Sequence, residues 1–250
     1  YESSVFSCRT IAATLPFAHN WSDGPYIASV VKQVDHIITL PRLSSHVIAG
    51  YTHAHKCGVG WLRDDSRYLL HFDAATMHEK YTELNYAEEI ASRHRLTITV
   101  GGKILLDMGP DEGTVADVDP VLVVASANMA HHDALTVALQ AYLDEINPPK
   151  DGLMFVYDES CNDFNKMLTL SLVEMWYGEP WGEKDKSEYT KLPYNEYWKG
   201  ISHDRCLARA YELQGGAPSA IPVALLGTDP APQLHDFLAG HSGAILELPA

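Results

Sequence analysis

The chain has 250 residues, 46% of them hydrophobic and 10% aromatic, which provides for a sizeable core and excludes a disordered chain. A formal charge of −15, from 18 basic and 33 acidic residues, argues against nucleic acid as a partner. The longest apolar runs, such as 120–127, fall far short of the ~20 residues that cross a bilayer, so no membrane span is expected. Residues 11–17 form a short apolar patch, and Ser22-Asp23-Gly24-Pro25 reads as a turn. Residues 26–33 are expected as a short helix and 34–40 as a strand, closed by Pro41. Between there and residue 71 stand His46, His53, His55, Cys57 and His71, interleaved with Lys56, Arg63 and Arg67 and loosened by Gly50, Gly58 and Gly60.

Residues 76–94 place Met77, Tyr81, Leu84, Ala87 and Ile90 at threes and fours, as one amphipathic helix does. Residues 96–100 and 103–107 read as two strands separated by Gly101-Gly102, and a loop follows from Met108 to Gly113. Residues 121–125 are β-branched, the type that fills a parallel sheet. A helix over 129–146 follows Ser126-Ala127-Asn128 and stops before Asn147-Pro148-Pro149. Further on, 153–157 reads as a strand, 165–177 as a helix and 178–200 as an ordered surface excursion. Residues 204–213 read as a helix ended by Gly215-Gly216, with strands at 221–226 and 244–248 around a short helix at 233–239. The alternation implies a single α/β domain over residues 1–250, with a mostly parallel sheet flanked by helices. In that sheet 37–40, 96–100 and 121–125 are expected as neighbours, with ligands beyond the strand ends.

Neutral imidazole and thiolate are the commonest soft ligands for transition metals, and a glycine-rich loop can fold them toward one point. The plainer alternative is a set of surface histidines on a long loop. Cys57, beside Lys56, is expected to have a lowered pKa, as a metal ligand or nucleophile has; the alternative is a small buried hydrophobe. His131-His132-Asp133 open the 129–146 helix, where the dipole favours Asp133 and a neutral histidine. Spacing from Leu135 and Ala138 suggests that His131 is packed and His132 freer. The four cysteines, Cys8, Cys57, Cys161 and Cys206, are never closer than 45 residues, which excludes a local cluster loop or zinc ribbon. One or two long-range disulfides or four free thiols fit this spacing.

Three segments resemble the family called domain of unknown function 362 (DUF362), over about residues 34–146. Asp35, Pro41, Leu43, His46, Thr52, Lys56, Gly60, Arg67 and His71 stand at the places of its aspartate, Pro-x-Leu-x-x-His, Thr-Gly-x-x-Lys-Asn-x-x-Gly, Arg and His. Gly109-Pro110-Asp111-Glu112-Gly113 matches its Gly-Pro-x-x-Gly loop. Residues 126–134 match its Ser-x-Asp-Pro-x-x-x-Asp-Ala segment. The chain departs where Cys57 replaces the asparagine, where an aspartate is missing near Gly101, and where Asn128-Met129 replaces Asp-Pro. The family's amino-terminal strand region has no counterpart in this reading, so the chain corresponds to its later two-thirds and is expected to be part of a longer precursor or a multi-chain particle.

The resemblance implies a soluble α/β fold with metal or redox association and no settled reaction. It implies Lys56, Arg67 and Asp133 as catalytic candidates, and Gly109 and Gly113 as cofactor-binding candidates. Together with the residues read directly, the metal-ligand candidates are His46, His53, His55, Cys57, His71 and His132, with His46, His71 and Lys56 expected in one pocket. The cofactor expected is a transition metal ion, and an iron–sulfur cluster only if another chain or segment supplies it. Family members are often joined to ferredoxin-type modules or carry export signals, which favours an exported (periplasmic or extracellular) location. The function expected is that of a metal- or redox-cofactor-associated protein whose site is the His-rich loop, such as an oxidoreductase working with a separate electron-transfer partner. The alternative is a non-catalytic subunit of a larger assembly, which the lost acidic positions favour. A protein partner or a second copy is expected, with 178–200 as contact surface because Trp176, Trp181 and Trp198 cluster there.

Overall fold

A computed structural model describes residues 10–16, 20–21, 24–46, 49–72, 76–106, 115–147, 197–227, 232–243 and 245–248. The expected strand at 153–157, helix at 165–177, most of the 178–200 surface and the Gly109–Gly113 loop lie outside these residues, as do Cys8 and Cys161. Among the described residues no helix is long and apolar enough to cross a membrane.

The chain opens with an antiparallel pair, β1 (Thr10–Ala12) and β2 (Tyr26–Ala28), in register at Ile11 and Ile27. The expected helix over 26–33 is therefore a strand followed by a 3-10 turn, Ser29–Gln33. Tyr26 and Ile27 supply the aromatic and β-branched side chains that favour extended backbone at the start of this stretch.

The main sheet is built on one long strand, β6 (His94–Leu105). Along one edge of it runs β7 (Val115–Ser126), antiparallel from Thr97↔Ser126 to Leu105↔Val115. Along the other edge lie β3 (Ile37–Thr39) and β4 (Ser44–His46), both parallel to it; β5 (Gly50–Thr52) then pairs antiparallel with β4. The three runs expected as neighbours do share this sheet, and the α/β class holds. The sheet is mixed, however, with β3 parallel to β6 and β7 antiparallel. Nine residues separate β6 from β7, and a parallel crossover needs a dozen or more, so the chain can only turn back as a hairpin. Gly101-Gly102 does not end a strand. It marks a bulge within β6, where the register shifts between Gly101 and Lys103.

Among the described residues the helices are α1 (Ala54–Cys57), α2 (Asp64–Phe72), α3 (Met77–Asn85), α4 (Glu88–Ala91), α5 (Met129–Ile146), α6 (Arg205–Leu213) and α7 (Pro232–His241). The single helix expected over 76–94 is two, broken at Tyr86–Ala87. Asn85 at the end of α3 bonds through Nδ2 to Tyr81 O and to His55 O, which ties that end to α1. α5 begins where the sequence places it, because Asn128 caps it, its side chain accepting from the backbone N–H of Ala130 and His131. Asp204 caps α6 in the same way through Leu207 N. The last elements form a small β8 (Ile221–Pro222), α7, β9 (Leu246–Glu247) unit with the two strands parallel.

One core joins Ile27, Val31, Tyr51, Leu70, Tyr81, Leu84 and Val137; a second joins Ala134, Ala138, Leu207, Tyr211 and Leu238. α5 borders both, so the face of that helix carrying Asp133 is deep in the protein.

Candidate functional site

β5 feeds directly into α1, so His53 and His55 leave the sheet at the entry of a short helix. β7 feeds into α5, so His132 and Asp133 lie in its opening turns. α1 packs against α5. The meeting point is the Asp133 carboxylate, fully buried. Its Oδ1 accepts from Ala54 N at 2.9 Å and from His132 Nδ1 at 2.9 Å. Its Oδ2 accepts from His55 N at 3.0 Å and from His55 Nδ1 at 2.7 Å. All four lone-pair directions are thereby engaged. Burial works to raise this carboxyl, but the bonds from His132 and His55 reverse the effect and hold it well below the usual carboxylate range.

The same network fixes the tautomers. His55 and His132 each commit Nδ1–H to Asp133; His132 Nε2 is buried with no hydrogen-bond partner, whereas the His55 ring also interacts with Cys206 and Tyr86. Thr136 Oγ1 donates to His132 O at 3.0 Å, so it accepts from His53 Nδ1 at 3.2 Å, and His53 Nε2 is likewise buried and unpartnered. All three buried imidazoles thus turn Nδ1 to a fixed acceptor, and His53 and His132 leave Nε2 without a partner. Buried acceptors without partners are rare because desolvation goes uncompensated, and a metal ion is one partner that repays them. Burial lowers His53 to about 3, so it is neutral and able to offer a lone pair.

Cys206, in the first turn of α6, completes the arrangement. A ring nitrogen of His55, a carboxylate oxygen of Asp133 and Cys206 Sγ all lie within 4.8 Å of one another, and all three residues are buried. Cys206 is a free thiol, with Thr82 Oγ1 3.0 Å from its sulfur. Burial pushes this thiol up, against the opposing pull of His55. Burial works to lower His55, and Cys206 and Asp133 together overcome it, so its pKa stands above the ordinary value. Nitrogen and sulfur donors beside a buried carboxylate that orients the imidazole suit a transition metal rather than magnesium or calcium. The residues present therefore fit the metal that the resemblance implies.

The positions expected from the sequence divide into three groups. His53, His55, His132 and Asp133 come together as described. Lys56 is half-buried on α1 next to His55; burial and then Arg67 lower it to about 8. Arg67 is exposed on α2, with Nη2 3.4 Å from Val59 O. His46 lies in β4, where Nδ1 accepts from Ala49 N at 3.2 Å across its own hairpin turn. The backbone of His71 belongs to α2 rather than to a loop; its side chain, and both Gly109 and Gly113, lie outside the described residues.

Two expectations are corrected. Cys57 is exposed at the surface, and its thiol is raised rather than lowered, because partial desolvation by the surrounding protein and then the Asp133 charge outweigh Lys56. His132 is the packed member of the histidine pair and His131 the freer one: His132 shares the inward face of α5 with Thr136 and Gln140, whereas Leu135 is only half-buried. Cys206 was not singled out by spacing. The readable signal was Asp204, a capping residue that puts the thiol two places on at a helix start.

No curated protein and no solved structure matches the chain. The family model described as "Domain of unknown function (DUF362)" matches residues 7–138, more than half of the 250-residue sequence and including His53, His55, His132 and Asp133. This match agrees with the motif reading of the middle of the chain, and the chain belongs to the DUF362 family.

Proposed function

We propose that this chain is a metal-associated α/β protein in which His55 Nε2 and Cys206 Sγ are the primary ligands, with Asp133 setting the orientation of His55 and His132. In this reading it works as an oxidoreductase with a separate electron-transfer partner, which supplies any iron–sulfur cluster. The observation that carries the proposal is the buried trio of His55, Asp133 and Cys206, with ligand atoms within 4.8 Å of one another. The bound metal would supply Lewis acidity or an electron site. The chain's own residues exclude water, fix the imidazole tautomer and hold protons on His55 and Cys206 that metal binding must release. Lys56 on α1 and the exposed Arg67 on α2 would in this reading hold an anionic group. Equilibrium dialysis against Zn(II) or Co(II), followed by elemental analysis, tests the proposal. One equivalent is expected on the native protein and a loss of at least tenfold in affinity for Cys206→Ser. Native protein that binds no metal ion would refute it.

A second reading has its own support. Cys206, His55 and Asp133 are closed off from solvent, as structural metal sites are, whereas catalytic sites keep a position open to substrate. Asn128, which replaces a family aspartate, serves as a helix cap. Both facts suit a non-catalytic subunit that kept the fold. A native protein that binds metal tightly but neither exchanges electrons with dithionite or ferricyanide nor admits a small exogenous ligand to the metal would favour this second reading.

A further inference from the structure

Among the described residues, the sheet has one well-covered face and one that is left bare. Along β6, Thr97 and Thr99 are buried, while the alternate positions Leu96, Ile98 and Val100 point the other way and are half-buried or exposed. Register carries the same face across the sheet: Ile38 on β3 pairs with Leu96, and Val123 on β7 pairs with Val100. Val121 lies over Gly102, where an added Cβ would meet Val121 Cγ2 at 3.3 Å, so the glycine makes room for another outward valine. The result is an apolar surface in which Ile38 is 56% exposed, Leu40 70%, Val100 62%, Val121 56% and Val123 64%. Alternating strands of a protein with net charge −15 would ordinarily put polar residues on a solvated face.

We propose that this face is the contact surface between two copies of the chain, packed sheet on sheet. Five side chains at roughly 100 Å² each expose about 500 Å² of apolar surface, at the upper end of what single subunits leave bare. With half-buried Leu96 and Ile98 at its centre, the patch approaches the ~800 Å² that each partner contributes to a standard interface. Ile38, Val100, Val121 and Val123 carry no charge, so a basic or acidic partner would gain nothing from them. A flat, β-branched surface is complementary to itself, and two such faces pack about 10 Å apart in aligned sheets. At its rim, Lys103 Nζ and Asp117 Oδ1 pair at 3.0 Å, opposite charges that a two-fold axis can exchange between copies.

Light scattering on the intact chain after size exclusion tests this. The expected mass is twice 27.7 kDa at micromolar concentration. Val123→Glu, which places like charges across the axis, is expected to give a monomer with an unchanged far-ultraviolet circular dichroism spectrum. Leu226→Glu, at a surface residue outside every strand, is expected to remain a dimer. Val123→Thr keeps the β-branched shape and is expected to fold and to weaken association at least tenfold, which covers the case in which Val123→Glu fails to fold. A monomeric native chain, or a dimer indifferent to both Val123 substitutions, would overturn the proposal, whatever else then covers the face. Neither outcome depends on the metal reading.

Discussion

Asp133 does more than any other side chain to set the geometry of the centre, because one carboxylate holds the start of α1 and the orientation of two imidazoles. Asp133→Asn keeps the shape but cannot accept all four bonds. It is expected to destabilise the protein by about 3 kcal/mol, as breaking a buried charged network does, and to weaken metal binding 10- to 100-fold. Denaturant unfolding and metal titration of the same variant measure both. His53 gives a pH dependence of definite sign. Its folded pKa, about 3, lies below the unfolded value near 6.5. The stability that neutral His53 represents is therefore present above pH 6.5 and is lost as pH falls toward 3. The loss amounts to about 2 kcal/mol between pH 7 and 5. His53→Asn is expected to flatten that part of the stability profile. These histidines were visible in the sequence, and so was Asp133, but not the line between the useful ones and the rest. His53-x-His55 looks like any surface pair until α5 brings a carboxylate against it, and His46 looks equally promising until its ring proves to serve its own hairpin turn.

Elements with local signals were legible, and those decided by distant packing were not. The α5 boundaries follow from Asn128 at one end and the prolines after Asn147 at the other, both short-range chemistry. The direction of β7 does not follow from its β-branched composition: strands at 103–107 and 121–125 would leave room for a crossover, and it is the observed start of β7 at Val115 that requires a hairpin. The break between α3 and α4 depends on Asn85 reaching across to α1, which no periodicity reveals. Gly58 belongs to the same contact: a Cβ there would run into the Asn85 side chain, so the residue following Cys57 has to be small. Asn128 offers a direct comparison. Asn128→Ala is expected to lose about 1 kcal/mol through the missing cap, whereas Asn128→Asp, which restores the residue usual in the family, is expected to be neutral or slightly stabilising at the helix start. Thermal melts of the two variants test whether the position now serves the fold.

The molecule is tied together by α6 as much as by the sheet. Arg209 reaches Glu83 at 2.7 Å, and Arg205 reaches Glu79 at 2.8 Å, so α6 is clamped to α3 by two ion pairs. Cys206 lies between these arginines in sequence, and Asp204 fixes the helix start by accepting from Leu207 N and from the Tyr51 hydroxyl. The sulfur is thus carried to the His55–Asp133 pair by a segment 73 residues beyond Asp133, outside the 7–138 family match. That separation is why the family motifs in the middle of the chain pointed to the histidines and not to the cysteine. It also makes the centre a property of the whole fold, so the most direct measurement is spectroscopic. Cobalt(II) added to the intact protein at pH 8, where His55 and Cys206 give up their protons more readily than at neutral pH, should produce a thiolate-to-cobalt absorption band. That band should be absent in Cys206→Ser and weakened in His55→Gln, and it should fade as the pH is lowered. A spectrum without the band in native protein, or one unchanged by Cys206→Ser, would contradict a metal centre built on these residues.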